Sequence, residues 1–126
     1  MKYENIDFNK LYIEQKHLSS FKTKGKEAWN EKAHSMNKRV HESIYNEQFL
    51  SLIDLSDINT ILDVGCGVGN LSLKLAVNVK EVNSLDYSPV MLKILEENAK
   101  EKKIENINII NKSWYDSWDE VPSTDL

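Results

Sequence analysis

The stretch "TILDVGCGVGNLSLKLA", residues Thr60 to Ala76, changes character halfway along. It begins with "TILDV", short, apolar and partly β-branched, which is the composition of a buried strand. It ends with Leu71, Leu75 and Ala76 at helical spacing. Between the two halves, glycines alternate at Gly65, Gly67 and Gly69. A strand that turns through glycines into a helix is either a tight turn serving the backbone alone or a place where a ligand passes close to the main chain.

Downstream, "EVNSLD" (Glu81 to Asp86) reads as a second strand, although Asn83 and Ser84 dilute its propensity. "YSPVMLKILEENAKEKK" then reads as a helix, with Ser88 as N-cap, Pro89 at the first helical position, and Leu92, Leu95 and Ala99 on a buried face. "INIIN" (Ile107 to Asn111) is a third strand. The order β-α-β-α-β implies parallel strands with right-handed crossovers, hence an α/β chain built on a doubly wound parallel sheet. "SWYDSWDEVPSTDL" stops at Leu126, where another strand could begin, so the sheet is expected to be truncated after about three strands. Three parallel strands leave an apolar edge, so either the chain is a fragment or this edge is covered by the N-terminal helices or by a second copy.

Upstream, residues 1–26 are polar and weakly periodic, an arm with one short helix around Asn9 to Leu18. From Glu27, the residues Trp29, Ala33, Met36, Val40 and Ile44 follow one helix face, and Phe49, Leu52 and Ile53 continue the helical reading to about Leu55. Residues 27–56 are therefore expected as helices covering a sheet domain over 57–126.

The chain has 126 residues, 40% of them hydrophobic, which suits one compact unit. A net charge of -4 disfavours a nucleic-acid partner, and "KTKGK" (Lys22 to Lys26) reads as a solvated loop. The single cysteine, Cys66, excludes an internal disulfide and a cysteine-rich zinc site and fits a reducing cytoplasm. No apolar run suggests a signal peptide or a membrane span. Cys66 reads as a small buried thiol, not a nucleophile, since no base stands beside it in the sequence. His34 and His41 lie seven residues apart, about 10 Å of helical rise, too far to ligate one metal ion. No metal is expected.

The context of the glycines favours a ligand. They follow a strand and open a helix, and Asp86 ends the next strand, where a carboxylate can accept hydrogen bonds from ribose hydroxyls. A dinucleotide fingerprint, G-x-G-x-x-G, would put its third glycine at position 70, which is Asn70. Asp63 is an awkward neighbour for a pyrophosphate and a good one for a cation. The phosphate-cradling loop G-x-x-x-x-G-K-[ST] is absent. "ILDVGCGVGN" followed by "LDYSPVML" resembles the first two motifs of the class I S-adenosylmethionine-dependent methyltransferases, a Rossmann-like family, over about Glu27 to Leu126.

The resemblance implies that Asp63 and the backbone from Gly65 through Cys66 and Gly67 to Gly69 hold the methionine ammonium and carboxylate of S-adenosylmethionine. It implies that Asp86 takes the ribose hydroxyls, with Tyr87 and Met91 beside the adenine. Ser113 stands where the family often has an acid facing the adenine amine, which leaves Trp114 to carry more of the base contact. "TDL" matches the start of the family's fourth strand. Helices ahead of the sheet often cover the cofactor in this family, which makes Trp29 and His34 candidates for lid or acceptor contacts. By spacing alone, however, the Trp29 stripe reads first as core, and Trp114 and Trp118 could equally plug the sheet edge.

The implied chemistry is methyl transfer to an acceptor, expected to be a small molecule, leaving S-adenosylhomocysteine; no general base is assigned. Two other readings stand beside it: a cofactor-binding module without turnover, and a nicotinamide-dependent oxidoreductase, which Asn70 and Asp63 disfavour. Pairing of the Thr60–Val64 edge with a second chain is a further expectation.

Overall fold

The computed structural model describes residues 6–18, 25–42 and 45–126, and the side chains of all these except residues 40–42. Ile44, the side chains of Val40 and His41, and residues 22–24 of the basic run thus lie outside the described residues. In chain order the elements are α1 (Phe8–Leu18), α2 (Lys26–Glu42), α3 (Tyr45–Leu50), β1 (Thr60–Val64), α4 (Ser72–Leu75), β2 (Glu81–Asp86), α5 (Pro89–Glu101) and β3 (Ile107–Asn111).

The three strands form one parallel sheet in the order β1-β2-β3. In register, Ile61, Val82 and Ile107 stand side by side. Alternation sends this row to the face on which Leu75 and Ala76 pack with Ile61 and Val82. Leu92 and Leu95 of α5 meet Cys66 and Ile107 in an adjoining cluster. A third cluster joins Ala33 of α2 to Val68, Met91 and Ile94, with Trp29, Met36 and Val90 against it. The sheet is thus covered on this face by α4 and α5, and α2 packs on α5.

Asn83 and Ser84 weaken β2 as an isolated strand, but inside the sheet each has a partner. Asn83 Nδ2 donates to Glu81 Oε1 at 3.0 Å, and Asn108 Nδ2 donates to Asn83 Oδ1 at 3.2 Å. The Ser84 hydroxyl lies 2.6 Å from that of Ser72. Neither polar side chain is therefore left unsatisfied in the interior, where that would be costly.

Helix α5 starts as its sequence dictates: Ser88 Oγ accepts from Met91 N at 3.2 Å, with Pro89 as the first helical residue. The helix expected after the glycines is shorter than its pattern suggests, since α4 is one turn before the chain bends toward β2. The helix expected to run from Glu27 to about Leu55 is two segments, α2 and α3.

The outer edge of β1 is partly taken by the chain's own last residues. Leu126 N donates to Thr60 O at 3.2 Å and Leu62 N donates to Leu126 O at 2.8 Å, bracketing Ile61 as a parallel ladder does. The Asp125 carboxylate accepts from Asn59 N, Thr60 N and the Thr60 hydroxyl. The last residues thus lie beside β1 on the side away from β2, so the order of neighbours reverses between β1 and this segment.

Candidate functional site

At the carboxyl ends of the strands lies a cavity of about 530 Å³. Its floor is Gly65, Gly67, Asp86 and Tyr87, with Val64 and Leu85 beneath, and α2 contributes Trp29 and Met36 as a wall. The loop after β3 contributes Lys112, Ser113, Trp114, Tyr115 and Trp118, and Lys16 of α1 closes the rim.

The glycines divide into two kinds. All three have left-handed backbones, with φ of +74° at Gly65, +56° at Gly67 and +96° at Gly69, a conformation open to glycine at little cost. A methyl group built on Gly65 would meet nothing within 4 Å, and one on Gly67 would come 3.9 Å from Met91 Sδ. Above these two the backbone is open. On Gly69 a methyl would lie 3.0 Å from Leu95 Cδ1 and Cγ. Gly69 is therefore a packing glycine that lets α5 approach the loop, and it does not line the cavity.

Asp86 ties the loop to the second strand. Its Oδ2 accepts from Gly67 N and its Oδ1 from Ser88 N, both at 2.9 Å. Each oxygen thus accepts one bond from the backbone and has capacity for another, and Asp86 lines the cavity. The strand carbonyl before it is also used, since Leu85 O accepts from Gly65 N at 2.8 Å and from Cys66 N at 3.1 Å.

Asp63 is not among the residues that line the cavity. Its Oδ2 accepts from Ser72 Oγ at 2.7 Å, and Ser72 in turn meets Ser84, so the carboxylate lies on the helix-covered side of the sheet and clamps β1 to α4. Burial pushes its carboxyl pKa up and the charge of Asp86 adds to this, against the Ser72 hydrogen bond. Cys66 is buried in the α5 cluster. Burial raises its thiol far above the ordinary range, with the charges of Asp63 and Asp86 adding to the shift, so it is inert at neutral pH.

Of the lid candidates, Trp29 lines the cavity while packing on the Ala33 cluster, so one helix face serves both purposes. His34 is exposed and does not line it. Trp114 and Trp118 stack with ring centroids 5.0 Å apart and planes 16° from parallel, and Trp118 Nε1 donates to Ser113 O at 3.0 Å. The pair belongs to the cavity wall, not to a sheet edge. Met36 and Lys112 were not legible as site residues, whereas Tyr115 belongs to the "WYDSW" stretch that offered aromatic surface near the base. Met36 is indistinguishable from a core position on its helix face, and a lysine after a strand reads as solvated. Among the described residues no group of three or more His, Cys, Asp or Glu could hold a metal ion, and no helix is long and apolar enough to cross a membrane.

Comparison with known proteins agrees with this geometry. The family described as "Methyltransferase domain" matches residues 55–125. An uncharacterised protein of Haemophilus influenzae is 34% identical over 100 residues, which cover 78% of this chain and 37% of that protein. A 23S rRNA (uracil(1939)-C(5))-methyltransferase of Aliivibrio salmonicida is 36% identical over 72 residues, 57% of this chain and 16% of that enzyme. The chain thus spans well under half the length of these relatives. Among solved structures, the precorrin-6y C5,15-methyltransferase of Geobacter metallireducens shares the fold at a TM-score of 0.57 and 21% identity, over 64% of this chain and 43% of that one. A coclaurine N-methyltransferase bound to N-methylheliamine and S-adenosylhomocysteine does so at 0.50 and 22%, over 55% of this chain and 21% of that one. With its glycine loop, its strand-end acid and a family match over more than half its length, this chain belongs to the class I S-adenosylmethionine-dependent methyltransferases.

Proposed function

We propose that the cavity binds S-adenosylmethionine and that the protein transfers its methyl group to a small-molecule acceptor. The observation that carries the reading is Asp86. It stands at the end of β2 between an open glycine backbone and an aromatic wall, and its two oxygens each retain an acceptor position for a vicinal diol.

The residues present fit such a ligand. Gly65 and Gly67 leave space where any side chain would intrude, and Trp114, Trp118 and Tyr87 offer flat apolar surface to a base. Bound S-adenosylmethionine supplies an already activated sulfonium methyl group for in-line displacement. The chain's own contribution is orientation and exclusion of water. Asp86 fixes the ribose, the glycine loop sets how deep the ligand lies, and Trp29 and Met36 of α2 shield it from solvent. Asp63 supports this indirectly by holding α4 and the loop against β1. The net charge of -4 supports a small acceptor over a nucleic acid, and the single buried thiol supports a cytoplasmic setting.

Calorimetric titration with S-adenosylhomocysteine tests the cofactor reading. Binding to the wild-type chain that is abolished in Asp86→Ala is expected. Because Asp86 also accepts from Gly67 and Ser88, a second variant, Gly65→Ala, places a methyl on the cavity floor without removing either acceptor; it carries left-handed backbone strain, so its urea midpoint is measured alongside, and it should also weaken binding. Absence of binding by the wild type overturns the reading. For the acceptor, transfer of labelled methyl to RNA in preference to small metabolites would overturn the second half of the proposal.

A further inference from the structure

β3 ends the sheet on the side away from β1. Asn106 O accepts from Val82 N at 3.0 Å, and Lys112 N donates to Asp86 O at 3.2 Å. By the alternation of a parallel ladder, Asn106, Asn108, Ile110 and Lys112 therefore bond toward β2, and the N–H and C=O groups of Ile107, Ile109 and Asn111 point outward. Among the described residues none is bonded to those outward groups. Exposed edges are commonly blunted by a lysine or a proline, and "INIIN" contains neither.

Along this edge α5 and β3 border a cleft of about 380 Å³. Leu95, Ala99, Ile104, Ile107 and Ile109 give it an apolar lining, and Glu96 and Lys100 bring one charge of each sign. Ile109 shares the helix-covered face with Ile107, yet it is 40% exposed. The edge thus fits an extended segment that offers free backbone groups, an apolar side chain for the cleft and charges of both signs. β3 and α5 of a second copy carry all three.

We propose that β3 pairs antiparallel with β3 of a second copy about a two-fold axis at Ile109, joining two sheets into one. In an antiparallel pair, outward groups must meet outward groups. Centring on Ile109 sets it against the partner's Ile109 and sets Ile107 against the partner's Asn111, so all the outward groups are used. Centring on Asn108 or Ile110 carries one of them past the end of the strand. The axis stands perpendicular to the sheet, so both α5 helices lie on one face and run antiparallel. Glu96 of each copy then approaches Lys100 of the other, a self-complementary arrangement, and Ile109 of each fills space beside the other's cleft.

Light scattering over a range of concentrations, together with hydrogen exchange, tests this on the whole chain. The wild type should be a dimer that dissociates on dilution, with the amides of Ile107, Ile109 and Asn111 losing protection as it does. Ile109→Lys should be monomeric where the wild type is dimeric. Glu96→Lys and Lys100→Glu each set like charges across the axis, and each should weaken self-association by about threefold to tenfold. An equimolar mixture of those two variants should regain the wild-type association, because an all-basic rim then meets an all-acidic one. A loss of folding cannot produce that recovery. A wild-type chain that stays monomeric up to about 1 mM, a dimer that persists in Ile109→Lys, or a mixture that associates no better than either variant alone overturns the proposal.

Discussion

Gly67 and Gly69 differ in what a methyl group would meet. At Gly67 the added carbon lies 3.9 Å from Met91 Sδ, an ordinary contact, so Gly67→Ala carries mainly the left-handed backbone strain of about 1–2 kcal/mol. At Gly69 the same carbon presses on Leu95 at 3.0 Å, and overpacking adds roughly 1–3 kcal/mol to the strain. Urea unfolding should therefore rank Gly69→Ala as the less stable variant; equal midpoints would contradict the division of the two glycines. Asp63 gives a prediction of opposite sense. Its folded-state pKa is raised, first by burial, so the associated stability is whole below the ordinary carboxylate pKa and is lost as pH rises through the folded value. Asp63→Asn keeps an oxygen that accepts from Ser72 and removes the charge. Its urea midpoint should decline less than that of the wild type between acid and neutral pH, and parallel curves would refute the assignment.

At the scale of elements, α2 is held as a wall by polar side chains as well as by packing. Asn98 of α5 is buried and donates to Asn37 Oδ1 of α2 at 2.9 Å and to Val68 O of the glycine loop at 3.2 Å. Ser88 Oγ donates to Asn30 Oδ1 toward the other end of α2. Asn98→Ala leaves two acceptors unpaired and should cost about 1–3 kcal/mol. Hydrogen exchange should show the α2 amides losing protection along with the loop, and loss confined to α5 would argue against the link. The pairing at the outer edge of β1 has its own pH signature. Backbone hydrogen bonds from Asn59 and Thr60 hold the Asp125 carboxyl below its ordinary value, so its contribution is present above the ordinary pKa and lost as pH falls through the folded one. Protection factors at Asn59 and Thr60 should drop on acidification in the wild type and be low at every pH in Asp125→Ala.

Over the whole molecule, the chain's three tryptophans, Trp29, Trp114 and Trp118, all line one cavity although they come from opposite ends of the sequence. Intrinsic fluorescence is therefore a reporter of that cavity. Addition of S-adenosylhomocysteine should change it saturably with the affinity that calorimetry gives, and a ligand that binds without altering it would have to sit elsewhere. At a hundred times the dissociation constant, binding should stabilise the fold by about 2.7 kcal/mol, readable as a raised urea midpoint.

The local pattern determined the order of strands and helices, the capped start of α5 and the pairing of a glycine turn with a strand-end acid. Each of these depends on neighbours in sequence: alternation, helical spacing, a serine before a proline. Only the tertiary structure decided which glycine faces the cavity and which faces Leu95, because left-handed backbone looks alike in sequence whether the space above it is open or filled. It also turned Asp63 from the cavity toward Ser72, since the face to which a strand residue points is fixed by what packs on the sheet. And it brought Trp29, Asp86 and Lys112 to one cavity, because parallel strands gather their carboxyl ends on one side while the chain between them runs elsewhere.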